Sequence, residues 1–575
     1  MPDVLPEDEV VRICQELIRI DTSNYGDGSG PGERAAAEYT AGLIEEVGLD
    51  AEIFESAPGR ASVVTRMAGE DPSASALVVH GHLDVVPALR DQWSVDPFGA
   101  ELKDGLIWGR GAVDMKDMDA MILSVMRSFA RDGRKPKRDI IFAFFADEEA
   151  GGVYGARYAV DNRPELFEGA TEAISEVGGF SATIGGQRTY LLQTAEKGIS
   201  WLRLVAHGRA GHGSQINSDN AITRLAAAVT RIGEYKWPIE LTPTTRQFLD
   251  GVTELTGVEF DADNPDLLLD QLGTVARFVG ATLQNTTNPT LLKGGYKHNV
   301  IPESAEALVD CRTLPGQEQQ VLEIVRELAG TGVDVSYVHN DVSLEVPFAG
   351  NLVDSMIDAL HKEDPGAKVL PYTLSGGTDN KSLSRLGITG YGFAPLMLPD
   401  ELDFTGMFHG VDERVPADSL KFGARVLNTL LTKLLRGAGC DSRRTAPGCA
   451  PGTHPGPRRR LRQGQRLLPR GPSGVGGCGL PEAFRAGVRR RRGLWAPSGG
   501  AVPAQAGNSC AGHGTCGQHA PGLDRRRARP GRPGRRLAGV RPQGNRTRRD
   551  LRLWQLRGRQ RLRPLRLTDH GDAGT

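Results

Sequence analysis

The chain opens on apolar positions recurring every three to four residues, which predict a helix over Glu7–Ile20 and a second from about Gly32 to Val47. Short apolar runs follow each. Two of these runs, SALVVHGHLDVV and DIIFAFFADEE, are nearly unbroken and end in polar residues, the pattern of buried parallel strands covered by helices on both faces. Between them MKDMDAMILSVMRSFARDG predicts a connecting helix closed by Gly133. The polar groups therefore collect at strand C-termini, where open α/β sheets place their ligand sites.

From about Lys197 the pattern changes. GISWLRLVAHG alternates as a half-exposed strand, DNAITRLAAAVTRI and EQQVLEIVRELAG have helical spacing, and SAEALVDCRT and VDVSYVH have strand spacing. Such an α+β set suits a sheet with helices on one face. After roughly Asn340 the α/β pattern returns through NLVDSMIDALHKE, KVLPY and ITGYGFAP to a last helix, SLKFGARVLNTLLTKLL. The expectation is an α/β domain made of 1–196 and 343–437, interrupted by an α+β domain over 197–342.

Beyond Gly437 the periodicity stops, and charge divides the chain at the same place. From Asp441 onward there are 30 Arg and no Lys against six acidic residues, a net +24; the whole-chain charge of −2 therefore leaves −26 on residues 1–440. An acidic body repels nucleic acid and anionic membrane, whereas the tail alone has the footprint of a polyanion binder. The segment 438–575 is rich in Arg, Gly and Pro, and from Asp441 it contains no Ile, Lys, Met or Tyr. It cannot bury enough apolar surface to offset its ordering entropy, and disorder is expected. Its bias toward residues with GC-rich codons fits out-of-frame translation; a genuine basic arm that binds nucleic acid is the other reading.

Only Cys14 and Cys311 lie well inside the acidic body, which gives no disulfide framework and fits a reducing compartment. The first residues lack the basic start and apolar stretch of a signal peptide, and no uncharged apolar run approaches the ~20 residues that cross a bilayer. A cytoplasmic protein away from membranes is expected.

The candidate chemistry sits at the ends of the apolar runs. In GHLDVVP, His82 and Asp84 lie two apart and share a face of the predicted strand, as a metal-bound imidazole with an orienting carboxylate or as a histidine satisfied by its neighbour. Asp114 in GRGAVDMKD stands at a loop-to-helix junction, where it is equally a helix cap. Asp147, Glu148 and Glu149 end the most apolar strand. Three carboxylates there repel one another and lose hydration, which a cation relieves, although a solvated acidic loop has the same sequence. Glu176 in AISEVGGF and His409 in MFHGVDERVP also end apolar segments.

Together these motifs, in this order over about residues 7–436, resemble the di-zinc amidohydrolases of metallopeptidase family 20, which include aminoacylase, acetylornithine deacetylase, succinyl-diaminopimelate desuccinylase and glutamate carboxypeptidase. The resemblance implies a zinc-exopeptidase-like α/β catalytic domain with an inserted lid and dimerisation domain. It implies two Zn²⁺ per chain, with Co²⁺ or Mn²⁺ as substitutes. His82 and Glu176 would hold one ion, Glu149 and His409 the other, and Asp114 would bridge them; Asp84 would orient His82 and Glu148 would be the general base. A cis peptide is implied between Asp114 and Met115.

In the GHGS motif, His212 resembles the histidine that reaches a partner subunit's active site, so a homodimer is implied. Asn299 in KHNVIPE and Arg312 in DCRTLPG resemble lid residues for the substrate carbonyl and carboxylate, and the planar fork of Arg suits the latter. Gly376, Gly377 and Thr378 in SGGTDN resemble a segment that lines the substrate site with backbone donors, or form an ordinary Gly-rich turn. The long stretch from about Glu240 to Thr290 is more like the larger aminoacylase-like and carboxypeptidase-like members. The implied substrates are small N-acyl amino acids or dipeptides, with a deacylase of amino-acid biosynthesis as the alternative.

Overall fold

A computed structural model describes residues 4–433; the expected tail over 438–575 lies outside the described residues. The first two helices run Pro6–Arg19 and Arg34–Glu45, within two residues of the spans expected from the periodicity. The main element is a mixed ten-stranded sheet. At its centre Ala76–His82 lies between Ile140–Phe145 and Ala170–Ser175, parallel to both. Thr389–Gly392 continues the parallel order beside Ala170–Ser175. The hairpin Glu52–Ala57 and Arg60–Met67 closes one edge antiparallel, and Gln187–Glu196 lies toward the other, paired in parallel with Lys368–Leu374.

Side-chain alternation explains why the central runs are apolar without interruption. Ile140, Phe142 and Phe144 join the core beneath the helices Pro6–Arg19, Lys116–Arg131 and Ala417–Lys433, while Ile141, Ala143 and Phe145 join a separate core that includes Ala156 and Leu383. A strand buried on both faces has no position for a polar residue until it ends.

The second sheet has four antiparallel strands in the order Thr286–Gly294, Ser304–Thr313, Gly198–His207, Val333–Asp341. Leu202, Leu204, Ala307 and Val309 face the helices Ala221–Glu234 and Glu318–Ala329, while the alternate residues of Gly198–His207 remain half-buried or exposed. Within the expected 197–342 insert, packing separates two parts. Phe248, Val252, Leu268 and Val279, from the helical stretch between Pro243 and Gly280, join the core of the large sheet, not that of the four-stranded one. The chain leaves the large sheet at Glu196 and pairs with it again at Leu344. Among the described residues no helix is long and apolar enough to cross a membrane.

Candidate active site

Three neighbouring parallel strands end side by side, and each delivers chemistry at its C-terminus. His82 is the last residue of Ala76–His82, Glu148 and Glu149 follow Ile140–Phe145, and Glu176 follows Ala170–Ser175. Strand alternation alone would send Glu148 and Glu149 to opposite faces. Asp147 instead takes a left-handed conformation, φ 67°, and the chain enters a single 3₁₀ turn over Glu148–Ala150, so both glutamates line one cleft. Asp114 comes from the loop before Lys116–Arg131, and its bond to Met115 is cis. His409 comes from the loop before Arg414–Pro416.

The Asp114 carboxylate joins two groups. Its Oδ1 lies 3.2 Å from His82 Nε2, and its Oδ2 lies 3.3 Å from His409 Nε2. Glu176 Oε2 is 3.6 Å from His82 Nε2, and Glu149 Oε2 is 2.9 Å from His409 Nε2. Each set, His82–Asp114–Glu176 and Asp114–Glu149–His409, brings its donor atoms within 4.8 Å of one another, as a metal site requires. Glu148 belongs to neither, with Oε2 3.9 Å from His82 Nε2.

Electrostatics mark the same cluster. Burial, then the Glu176 charge, pushes the Glu148 carboxyl well above the ordinary carboxylate range, and burial lifts Glu176 to about 7. Burial depresses the His82 imidazole, but Glu176 and Asp114 more than offset it and hold it well above 6.5. Hydrogen bonds to Asp114 and then Glu149 raise His409 to about 10. A divalent cation held among His82, Asp114, Glu149, Glu176 and His409 would favour the carboxylates and the neutral imidazoles. Glu149 Oε1 is buried with no hydrogen-bond partner among the described residues.

Asp84 organises this end of the sheet from below. Its carboxylate accepts the backbone N–H groups of Glu148 and Glu149 at 3.0 and 3.1 Å and the Asn24 amide at 2.9 Å. The nearest partner of His82 Nδ1 is the Asp84 main-chain oxygen at 3.0 Å, with the carboxylate at 3.5 Å. The orienting contact expected of the Asp84 side chain is thus led by its backbone. Either contact directs Nε2 to the cluster.

Other supports escaped the motif reading. Glu413, fully buried, accepts from the N–H groups of Gly111, Val113 and Asp114 and from Arg110, so it holds the Asp114 loop. It stands only four residues after His409 in MFHGVDERVP, but an acidic residue in a polar loop carries no signal of burial. Asn24 bridges Asp84 and Asp147 and accepts from Arg60 Nη2 at 2.8 Å. Val177 has a left-handed φ of 53°, which a β-branched residue seldom adopts, and its carbonyl accepts the Tyr372 hydroxyl. Glycine is required next to it, since a Cβ at Gly178 would stand 2.0 Å from the Gly392 oxygen.

A cleft of about 290 Å³ opens over the cluster. Gly376, Gly377 and Thr378 line it, as does Arg312 from the four-stranded sheet. Trp201, His339 and Asp341 from that sheet, and Asp379 and Lys381 after the glycines, also line it without having been singled out in the sequence. Arg312 gives one edge of its guanidinium to Asp310, Nε to Oδ1 at 2.8 Å and Nη2 to Oδ2 at 3.1 Å. His212 and Asn299 are not among the lining residues. They lie together on a short ribbon in which Gly211–His212 pairs with Val300–Ile301 and Gly213 N–H donates to Asn299 O at 2.9 Å. His212 is exposed, its Nδ1 2.8 Å from Ser214 Oγ.

The chain is similar to known proteins over most of its described residues. The chain is 28% identical to the N-fatty-acyl-amino acid synthase/hydrolase PM20D1 of Xenopus tropicalis over 436 residues, covering 72% of this chain and 83% of that one. It is 27% identical to human aminoacylase-1, covering 75% and 96%. Among solved structures, an M20 family metallo-carboxypeptidase of Sulfolobus solfataricus superposes with a TM-score of 0.58 at 18% identity over 74% of this chain and 99% of that one. The yeast dipeptidase Dug1p does so with 0.57 at 14%, covering 75% and 96%. The model of peptidase family M20/M25/M40 matches residues 78–433, well over half of the sequence, and the chain belongs to that family of hydrolases acting on amide and peptide bonds.

Proposed function

We propose that this protein hydrolyses the amide bond of small N-acyl amino acids or dipeptides, in the manner of an aminoacylase or carboxypeptidase. The observation that carries the reading is the shared Asp114 carboxylate, each oxygen facing a different histidine, so that two three-residue donor sets meet on one side chain. Mixed imidazole and carboxylate donors suit zinc, with Co²⁺ or Mn²⁺ as substitutes. His82, Asp114 and Glu176 would hold one ion and Asp114, Glu149 and His409 the other; the unpartnered Glu149 Oε1 supports that fit. When bound, the ions supply Lewis-acid polarisation of the scissile carbonyl and acidify water.

The chain's own residues do the rest. Glu148, outside both donor sets, accepts a proton from the attacking water and returns it to the leaving amine. Asp84 holds the Glu148 and Glu149 backbone in place. Arg312 has an edge of its fork not taken by Asp310, and with Gly376, Gly377 and Thr378 it receives the substrate carboxylate. His212 and Asn299 serve the cleft of a second copy in a homodimer formed through the inserted 197–342 domain, His212 as a donor to the developing oxyanion.

The test is a panel of N-acyl amino acids and dipeptides offered to the zinc-loaded protein before and after chelation. Hydrolysis that disappears with the metal and returns on adding zinc is expected. Hydrolysis indifferent to chelation, or none across the panel, overturns the reading.

A further inference from the structure

The strands Gln187–Glu196 and Lys368–Leu374 run parallel and finish together, with Leu374 opposite Glu196. Beyond that point they diverge. The first continues into the four-stranded sheet at Gly198, and the second turns into the Ser375–Asp379 loop that lines the cleft. Glu196 stands at this fork, fully buried and outside the cleft lining. A buried carboxylate is costly unless hydrogen bonds and a countercharge satisfy it.

Two of its three hydrogen bonds tie the loop down. Glu196 accepts the Thr378 N–H at 3.0 Å, the Thr378 hydroxyl at 2.7 Å and the Gln193 amide at 3.1 Å. Thr378 Oγ1 in turn accepts the Asn380 N–H at 3.2 Å. Buried Lys381 adds the positive charge and donates to the Lys197 carbonyl, while the Lys197 N–H donates to Leu374 O at 2.9 Å. Gly377 packs closely on this network, since a Cβ there would stand 2.5 Å from Lys381 Cε and 3.0 Å from Ile199 Cδ1. The backbone N–H groups of Gly376 and Gly377 donate to no acceptor among the described residues. A donor pair of that kind selects a carboxylate only if its position is fixed before the ligand arrives.

We propose that Glu196 is a positioning residue for substrate binding: through the paired hydrogen bonds to Thr378 it sets the Gly376–Gly377 donors in the cleft. The inference rests on the reading above, in which this loop receives the substrate carboxylate. Glu196 touches neither substrate nor the metal donor sets, so it governs affinity and leaves the chemical step alone.

The test compares wild type, Glu196→Ala, Glu196→Gln and Thr378→Val as full-length, zinc-loaded proteins. For each, kcat and KM for an N-acetyl amino acid are measured beside zinc content and calorimetric binding of the product amino acid. Glu196→Ala is expected to raise KM and the product Kd at least tenfold, with kcat within about threefold and two zincs retained. Glu196→Gln, which keeps one acceptor oxygen, recovers part of the loss. Thr378→Val, which loses the hydroxyl bond to Glu196 and keeps the backbone one, shows a smaller rise than Glu196→Ala, and Glu196→Gln carries the test if Glu196→Ala does not fold. A fall in kcat at unchanged KM, loss of zinc, or equal KM for Thr378→Val and wild type overturns the proposal. Absence of hydrolysis by wild type overturns the amidohydrolase reading instead, and the binding series then decides the role of Glu196 by itself.

Discussion

The strand ends of the large sheet and the separate short ribbon of Gly211–His212 and Val300–Ile301 both carry residues singled out from the sequence, and they differ in completeness. His82, Glu148, Glu149 and Glu176 arrive from three adjacent parallel strands and meet Asp114 and His409 within one chain. Exposed His212 and half-buried Asn299 sit beside one another at a short two-stranded ribbon, outside the cleft lining. Parallel strands buried on both faces must send their polar groups to a common end, where burial raises the cost of leaving them unpaired. A two-stranded antiparallel ribbon imposes no such convergence. A single chain assembles its charged centre through the first device, whereas the second, sparser set of polar groups stays outside the cleft lining.

The largest effect comes from within the strand-end cluster. Glu148→Ala is expected to keep about two zincs per chain while kcat falls roughly 10²–10⁴-fold, the loss of a general acid–base group. Glu149→Ala should lose occupancy of one metal, and excess zinc should return some activity to it but none to the Glu148 variant. Metal analysis of the dialysed proteins beside their rates checks both; zinc loss in Glu148→Ala would reverse the assignment of base and ligand.

The next effect is on the ribbon. His212→Ala should lower kcat by about 10²–10³-fold, as for removal of one oxyanion donor, without changing metal content. Mixing His212→Ala with Glu148→Ala chains should restore part of the activity, because a mixed dimer contains one intact composite site. No recovery despite proven subunit exchange removes the partner's role and with it half of the comparison.

Arg312→Lys probes the seam between the regions. KM should rise about tenfold, since Lys keeps the charge but not the fork that meets Asp310 and a substrate carboxylate together. Amidated substrates should abolish most of the difference between the two enzymes. Equal discrimination by both would take Arg312 out of the carboxylate site.

The smallest effect concerns stability at the crossing between the sheets. Burial and then the Arg312 charge push the Lys197 ammonium down to about 7, whereas in the unfolded chain it titrates near 10.5. Between those values the unfolded state binds the proton that the folded state lacks. Stability from this group therefore rises with pH across the window, by about 1 kcal/mol per unit, and is lost as pH falls through 7. Denaturant titrations from pH 7 to 10 should show a flatter dependence in Lys197→Met than in wild type; parallel curves would place its proton elsewhere.

The sequence by itself determined the α/β character, the change to a one-faced sheet near Lys197 and the residues at the strand ends. These are periodic or compositional facts, and unbroken apolar runs such as IIFAFF leave no other place for His82 or Glu149 than their ends. The resemblance carried by those motifs named Asp114 and His409, whose local sequence is that of any polar loop. Tertiary structure alone decided that Asp147 turns the strand end so that Glu148 and Glu149 share a cleft, that Pro243–Thr256 packs on the large sheet, and that Trp201 and His339 line the cleft. It alone disclosed Glu413 and Glu196, acidic residues whose neighbours in sequence give no sign of burial. Periodicity reports which face of an element is covered; the identity of what covers it depends on residues hundreds of positions away, as Glu413 on the Asp114 loop and Thr378 on Glu196 both show.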